Sequence, residues 1–141
     1  MSLNQKKSVL FLCTHNSCRS QMAEGLLRHL YGSSFESFSA GIIQSSVHPL
    51  AIKVMDEIDI DISNQSSKTI QMYSGQVFDY VVTVCDNAKE QCPFFPGKEI
   101  LHQSFPDPSS IQGSCDEQLQ AFRETRDMIK QWIEVMFSKV R

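Results

Sequence analysis

Val9-Leu10-Phe11-Leu12, then Cys13-Thr14-His15-Asn16-Ser17-Cys18-Arg19-Ser20, then Gln21-Met22-Ala23-Glu24, is the stretch that decides the fold. The apolar run of four reads as a buried strand and the polar octet as a tight loop. Met22, Ala23, Leu26, Leu27, Leu30 and Tyr31 then recur at helical spacing. A strand feeding a loop at a helix N-terminus makes an anion site. Unpaired amide N–H groups and the positive end of the helix dipole both point into such a loop. Cys13 opens it and Arg19 closes it. The field that holds an oxyanion also stabilises a thiolate, which makes Cys13 the expected nucleophile. Arg19 offers a planar fork matching two oxygens of a tetrahedral anion. The Ser20 hydroxyl can donate to the sulfur.

Outward from this stretch, the 141 residues suit one domain over 1–141, long enough to bury a core unaided. A formal net charge of -3 gives no basic surface for nucleic acid. Wholly apolar runs fall far short of the ~20 residues of a membrane span, and the N-terminal apolar stretch is too short for a signal peptide. A cytoplasmic protein, expected as a monomer, follows. In that compartment five cysteines point to redox or catalytic thiols rather than a disulfide framework.

Gly32 is placed to end the first helix. Phe35 to Ala40 reads as a second strand and Gly41 as the turn after it. His48-Pro49 starts another helix, with Ala51, Val54, Met55 and Ile58 on its apolar face. A short helix is expected near Ser67 to Tyr73. Tyr80 to Cys85 is a continuous β-branched run, a strand buried on both faces, and Ile100 to Phe105 a fourth strand. Ser114-x-x-Glu117 is a capping box opening a long amphipathic helix. Strands alternating with helices predict a four-stranded parallel sheet with helices on both faces. In such sheets ligands bind beyond the carboxyl ends of the strands, where Cys13, Cys85 and the segment after Phe105 can meet.

The Cys13-x5-Arg19-Ser20 loop resembles the active-site loop of low-molecular-weight tyrosine phosphatases and of the arsenate reductases that share their fold. Cys85, Cys92-Pro93, the His102-x-x-Phe105-x-Asp107-Pro108 stretch, Ser39-Ala40-Gly41 and Asp59-Ile60-Asp61-Ile62-Ser63 extend the likeness to the thioredoxin-linked reductases. The phosphatases usually carry tyrosines after Asp-Pro, where this chain has Ser109-Ser110. The resemblance implies an α/β low-molecular-weight phosphatase-like domain that reduces arsenate to arsenite. It implies that Thr14, His15, Asn16, Ser17, Cys18 and Arg19 hold the oxyanion and that Cys13 attacks it. Asp107, kept extended by Pro108, protonates the leaving hydroxide. Cys85 and then Cys92 carry the disulfide outward to thioredoxin or another thiol reductant. No cofactor is implied.

Some relatives hold a structural potassium ion with residues matching Asn16, Glu24 and Ser39 plus an acidic residue. Lys68 stands at that acidic position, so its ammonium is expected to replace the ion by pairing with Glu24, leaving no metal site. His15 occupies a loop position that is often glycine. Cys18 is expected to pack and Cys115 to be inert. Asp86 can cap a short helix over 88–91, and residues seven apart along a helix are separated by about 10 Å. A disulfide tolerates Cα separations of only about 4.4–6.8 Å, so Cys85 and Cys92 can bond only if that turn unwinds. Two other functions stay open: a phosphatase acting through a cysteinyl-phosphate on Cys13, and a non-enzymatic thiol sensor.

Overall fold

β1 (Lys7–Leu12) runs between β2 (Phe35–Ala40) and β3 (Phe78–Thr83), and β4 (Gly97–His102) lies outside β3. All pairings are parallel, in the order β2-β1-β3-β4. The computed structural model describes residues 5–85 and 94–140. Val9, Leu10, Phe11 and Leu12 have no exposure, because β1 is covered on both faces. Each such side chain contributes about 1.5–3 kcal/mol on burial.

Alternation along β1 divides the core. Val9 and Phe11 pack with α1 (Arg19–Tyr31), α2 (Pro49–Asp56) and α3 (Cys115–Phe137). Leu10 and Leu12 pack with Ala40, Val81, Phe95 and Tyr73. Tyr73 belongs to a single 3-10 turn, Ile70–Tyr73, so helical elements flank both faces unequally. The α2–α3 contact is locked by Arg126, whose guanidinium donates to the Val54 carbonyl at 2.8 Å and to Glu57 at 2.9 Å. Arg123 adds a second fork to Glu57, and these two partners hold its carboxyl below the usual range. Ser114 and Glu117 form the expected capping box at the start of α3.

The chain leaves β1 toward β2 on one side and later fills β3 on the other. That reversal opens a crevice at the carboxyl ends, the usual ligand position in open α/β sheets. Backbone bonds continue past the strand ends there: Cys13 N–H to the Ala40 carbonyl, Val84 N–H to Leu12, and Phe105 N–H to Val84, at 3.3, 2.9 and 3.3 Å. Cys13, Cys85 and Phe105 are brought side by side in this way.

Four sequence expectations shift. β3 begins at Phe78 rather than Tyr80 and ends at Thr83, so Val84 and Cys85 lie past the ladder. β4 spans Gly97–His102, not Ile100 to Phe105. Gly97 pairs with Phe78, where a Cβ would meet Val81 Cγ2 at 2.6 Å, while Phe105 is apolar because it is buried under the site. Gly32 follows α1 in a right-handed conformation (φ -63°); a side chain there would strike the Arg28 carbonyl oxygen. Gly41 is more than a turn residue. A Cβ on it would lie 2.6 Å from the Thr14 carbonyl oxygen, so only glycine lets β2's end approach the loop. Cys92 and the helix expected at 88–91 lie outside the described residues.

Candidate active site

The octet after β1 is held by its carbonyls. Thr14 O accepts from the Ile42 and Ile43 amides at 2.8 and 3.2 Å, and His15 O from Ser67 Oγ at 3.1 Å. Asn16 O accepts from Gln21 Nε2 at 3.0 Å, and Ser17 O from the His48 amide at 3.1 Å. In a trans peptide the carbonyl and the next N–H point in opposite directions. Four carbonyls engaged outward therefore turn the amides of His15, Asn16, Ser17 and Cys18 inward, at the N-terminus of α1.

That concavity is lined by Cys13, His15, Ser17, Cys18, Arg19, Asp107 and Ser109. Cys13, Cys18 and Arg19 are buried and His15 sits exposed at the rim. Ser20 Oγ lies 2.8 Å from Cys13 Sγ. The direction of that bond follows from its neighbours. The Lys68 backbone N–H, a fixed donor, bonds Asn16 Oδ1 at 2.7 Å, which turns Asn16 Nδ2 toward Ser20 Oγ at 2.8 Å. Ser20 accepts from Asn16 and so donates its own proton to the Cys13 sulfur. Asn16 is fully buried at φ 50°, a left-handed conformation that asparagine tolerates better than most residues.

Arg19 is 4% exposed; one guanidinium nitrogen donates to the Phe105 carbonyl at 3.3 Å, and the other lies 3.9 Å from Asp107 Oδ2. Burial pushes the Cys18 thiol up to about 12, so it packs as a neutral thiol, as expected. Cys115 is free and exposed at the start of α3. Cys85 is fully buried, and its sulfur lies 3.8 Å from the carbonyl of Leu12, the residue before Cys13. It is disulfide-bonded, whereas Cys13 and Cys18 are free.

The residues around Glu24 do not fit a potassium ion. Glu24 is 6% exposed, but its carboxylate accepts from Ser39 Oγ and from Arg28 at 2.5 Å. Lys68 Nζ stands 3.7 Å from Glu24 Oε1 and donates to the Ser66 carbonyl at 2.5 Å. An ammonium therefore stands against the anionic ligand, as the sequence led one to expect.

Two contributors escaped the sequence reading. His48 caps α2 through Nδ1, accepting from the Leu50 amide at 3.1 Å, stacks on Phe122, and ties α2 to the loop through Ser17. Burial lowers its pKa, against an opposing pull from Asp107. Its place before Pro49 was a legible cap signal; its bond to the loop was not. Ser109 reaches the pocket wall because Asp-Pro-Ser makes a tight turn, a signal available in the sequence.

Comparison with known proteins follows the same lines. An arsenate reductase of Halalkalibacterium halodurans is 47% identical over 125 residues, 88% of this chain and 90% of that protein. A solved arsenate reductase in the phosphate binding state superposes with a TM-score of 0.81 at 32% identity, covering 96% of this chain and 99% of that one. A thioredoxin-dependent arsenate reductase of Corynebacterium glutamicum gives 0.64 at 30% identity, over 97% of this chain and 65% of that one. Residues 8–141 match the low molecular weight phosphotyrosine protein phosphatase family, and the chain belongs to it.

Proposed function

We propose that the protein reduces arsenate to arsenite through a thiol relay that begins at Cys13. The observation that carries this reading is Cys85, whose buried sulfur lies 3.8 Å from the carbonyl of the residue preceding Cys13. A phosphatase needs no second thiol there. The Cys13 thiolate attacks arsenic, held by the inward amides of His15 to Cys18 and by the Arg19 fork. A sulfur–arsenic bond forms, and hydroxide leaves as water with a proton from Asp107. The Cys85 thiolate then attacks the Cys13 sulfur. As the disulfide forms, the sulfur–arsenic pair stays on arsenic, which goes from As(V) to As(III) and departs as arsenite. The Cys92 thiolate attacks Cys85, freeing Cys13, and a dithiol of the thioredoxin class supplies the two electrons that reopen the last disulfide. A disulfide at Cys85 beside a free Cys13 is the state such a relay leaves after Cys13 is released, which supports the order. The thioredoxin-dependent relative supports the choice of reductant. The chain works in the cytoplasm as a monomer, without cofactor.

Cys13, Arg19 and Asp107 would also suffice to hydrolyse a phosphate monoester, and membership of the phosphatase family favours this as the second reading. One assay separates the two. Arsenate, thioredoxin, thioredoxin reductase and NADPH should give arsenate-dependent NADPH oxidation that Cys85→Ser abolishes. Hydrolysis of nitrophenyl phosphate should survive that substitution. Absence of arsenate-dependent oxidation, with ester hydrolysis retained, would leave the phosphatase.

A further inference from the structure

We infer that Ser109 is the positioning residue that fixes which oxygen of Asp107 faces the reacting oxyanion. The inference rests on the reading of Asp107 as the proton donor. Asp107 lies between Pro106 and Pro108 in an extended conformation (φ -81°, ψ 108°) and caps the 3-10 turn Pro108–Ser110. Its Oδ1 accepts two hydrogen bonds, from the Ser109 amide at 3.0 Å and the Ser109 hydroxyl at 2.7 Å. Capping the turn needs only the amide. The hydroxyl is an added donor on the same oxygen, and it stands exposed on the pocket wall, where it contributes nothing to the core.

A neutral carboxyl carries its proton on one oxygen, and the other is the better acceptor. Two donors on Oδ1 make that oxygen the acceptor and leave the proton to Oδ2. Oδ2 is the oxygen facing Arg19, at 3.9 Å. Arg19 is itself pinned to the Phe105 carbonyl, so the proton, the anion-binding fork and the Cys13 sulfur share one pocket in a fixed order. The torsion that turns a carboxylate is broad and two-fold. Without the hydroxyl, the Ser109 amide and the more distant Arg19 guanidinium are left to resist its rotation, and Asp107 loses part of its aim rather than its chemistry. The backbone beneath does not depend on the Ser109 side chain: Ser110 donates from both N and Oγ to the Asp107 carbonyl, at 3.2 and 2.7 Å.

The test is a single turnover. Fully reduced enzyme is mixed with arsenate without thioredoxin, and arsenite is quantified after rapid quenching. Ser109→Ala should slow arsenite formation about tenfold, the scale of a misaimed catalytic group, with the arsenate concentration at half-maximal rate unchanged. Ser109→Thr, which keeps the hydroxyl, should recover to within about twofold of wild type. Asp107→Asn should lose about 10²-fold or more, and adding Ser109→Ala to it should cost nothing further, because the serine acts only through the carboxyl. A wild-type rate for Ser109→Ala beside a slow Asp107→Asn would overturn the role of Ser109 alone, as would an equal loss in both backgrounds. A wild-type rate for Asp107→Asn would overturn the proton-donor reading and this inference together.

Discussion

The loop from Cys13 to Arg19 and the segment from Phe105 to Ser110 line one pocket, yet they are held in different ways. Cys13, Asn16, Cys18, Arg19 and Ser20 are buried, and the bonds of the loop and of Gln21 behind it run to β2, to His48 at the start of α2 and to the segment 66–68. Asp107 has a third of its side chain exposed, and Ser109 and Ser110 are exposed. Their hydrogen bonds close mostly within three residues. The nucleophile and the anion cradle are therefore preorganised by the whole fold, whereas the proton donor rides on a local turn. Most of the cost of disturbing the first should appear in both stability and activity. Disturbing the second should appear in activity alone.

The largest effect expected from that contrast is at Cys13. Cys13→Ser keeps the shape of the loop and removes the sulfur, so arsenite production and nitrophenyl phosphate hydrolysis should both fall by more than about 10³-fold. Either activity surviving in this variant would move the nucleophile off the loop and dissolve the comparison.

An intermediate effect separates the two regions by stability. Asn16→Ala strands the Lys68 amide, now bonded to Asn16 Oδ1, removes the Asn16 donor to Ser20 Oγ, and places alanine at φ 50°. Lost partners at about 1–3 kcal/mol and a left-handed alanine at about 1–2 kcal/mol should together lower unfolding free energy in urea by about 2–5 kcal/mol. Ser110→Ala, on an exposed turn, should cost about 0.5 kcal/mol or less. Equal costs would show that the Asp107 segment is as deeply built in as the loop.

How far each region was legible follows the same division. The loop could be read because strand, nucleophile, arginine and helix are contiguous, and their order alone implies an anion site. Asp107 carries no such local signature: Asp-Pro is an ordinary turn dipeptide, and the resemblance, not the physics of the residues, gave it a role. The polar braces that touch the loop itself could not be read. Gln21, Ser67 and the backbone of Lys68 reach the loop from residues with no periodicity, and a hydrogen bond across 52 positions leaves no trace in local sequence. The β3 and β4 boundaries slipped because apolar character marks burial rather than ladder pairing. Phe105 is as buried as a strand residue while lying outside the sheet.

The smallest expected effect concerns the outer brace, where the anticipated change is none. Glu24 and Lys68 stand behind Asn16, with side chains 8% and 14% exposed, and Nζ of Lys68 lies 3.7 Å from Oε1 of Glu24. Arg28 takes the other carboxylate oxygen. An added cation would have to displace an ammonium that is also anchored to the Ser66 carbonyl. Replacing sodium with potassium at equal ionic strength should therefore leave the melting temperature and the rate of arsenate reduction unchanged. A potassium-specific rise in melting temperature in the wild type would mean that the ion competes successfully with Lys68. Lys68→Ala makes the argument sharper. It removes the ammonium but keeps the backbone N–H that holds Asn16, leaving Glu24 with Arg28 and Ser39. That variant should lose stability, since removing one member of a buried pair costs more than the pair contributes. It should also leave Cys13 active, because the chain from the Lys68 amide through Asn16 and Ser20 to the sulfur stays whole. A collapse of activity in Lys68→Ala without a matching fall in stability would show that the ammonium acts on the thiolate directly, and the brace would then belong to the chemistry rather than to the scaffold.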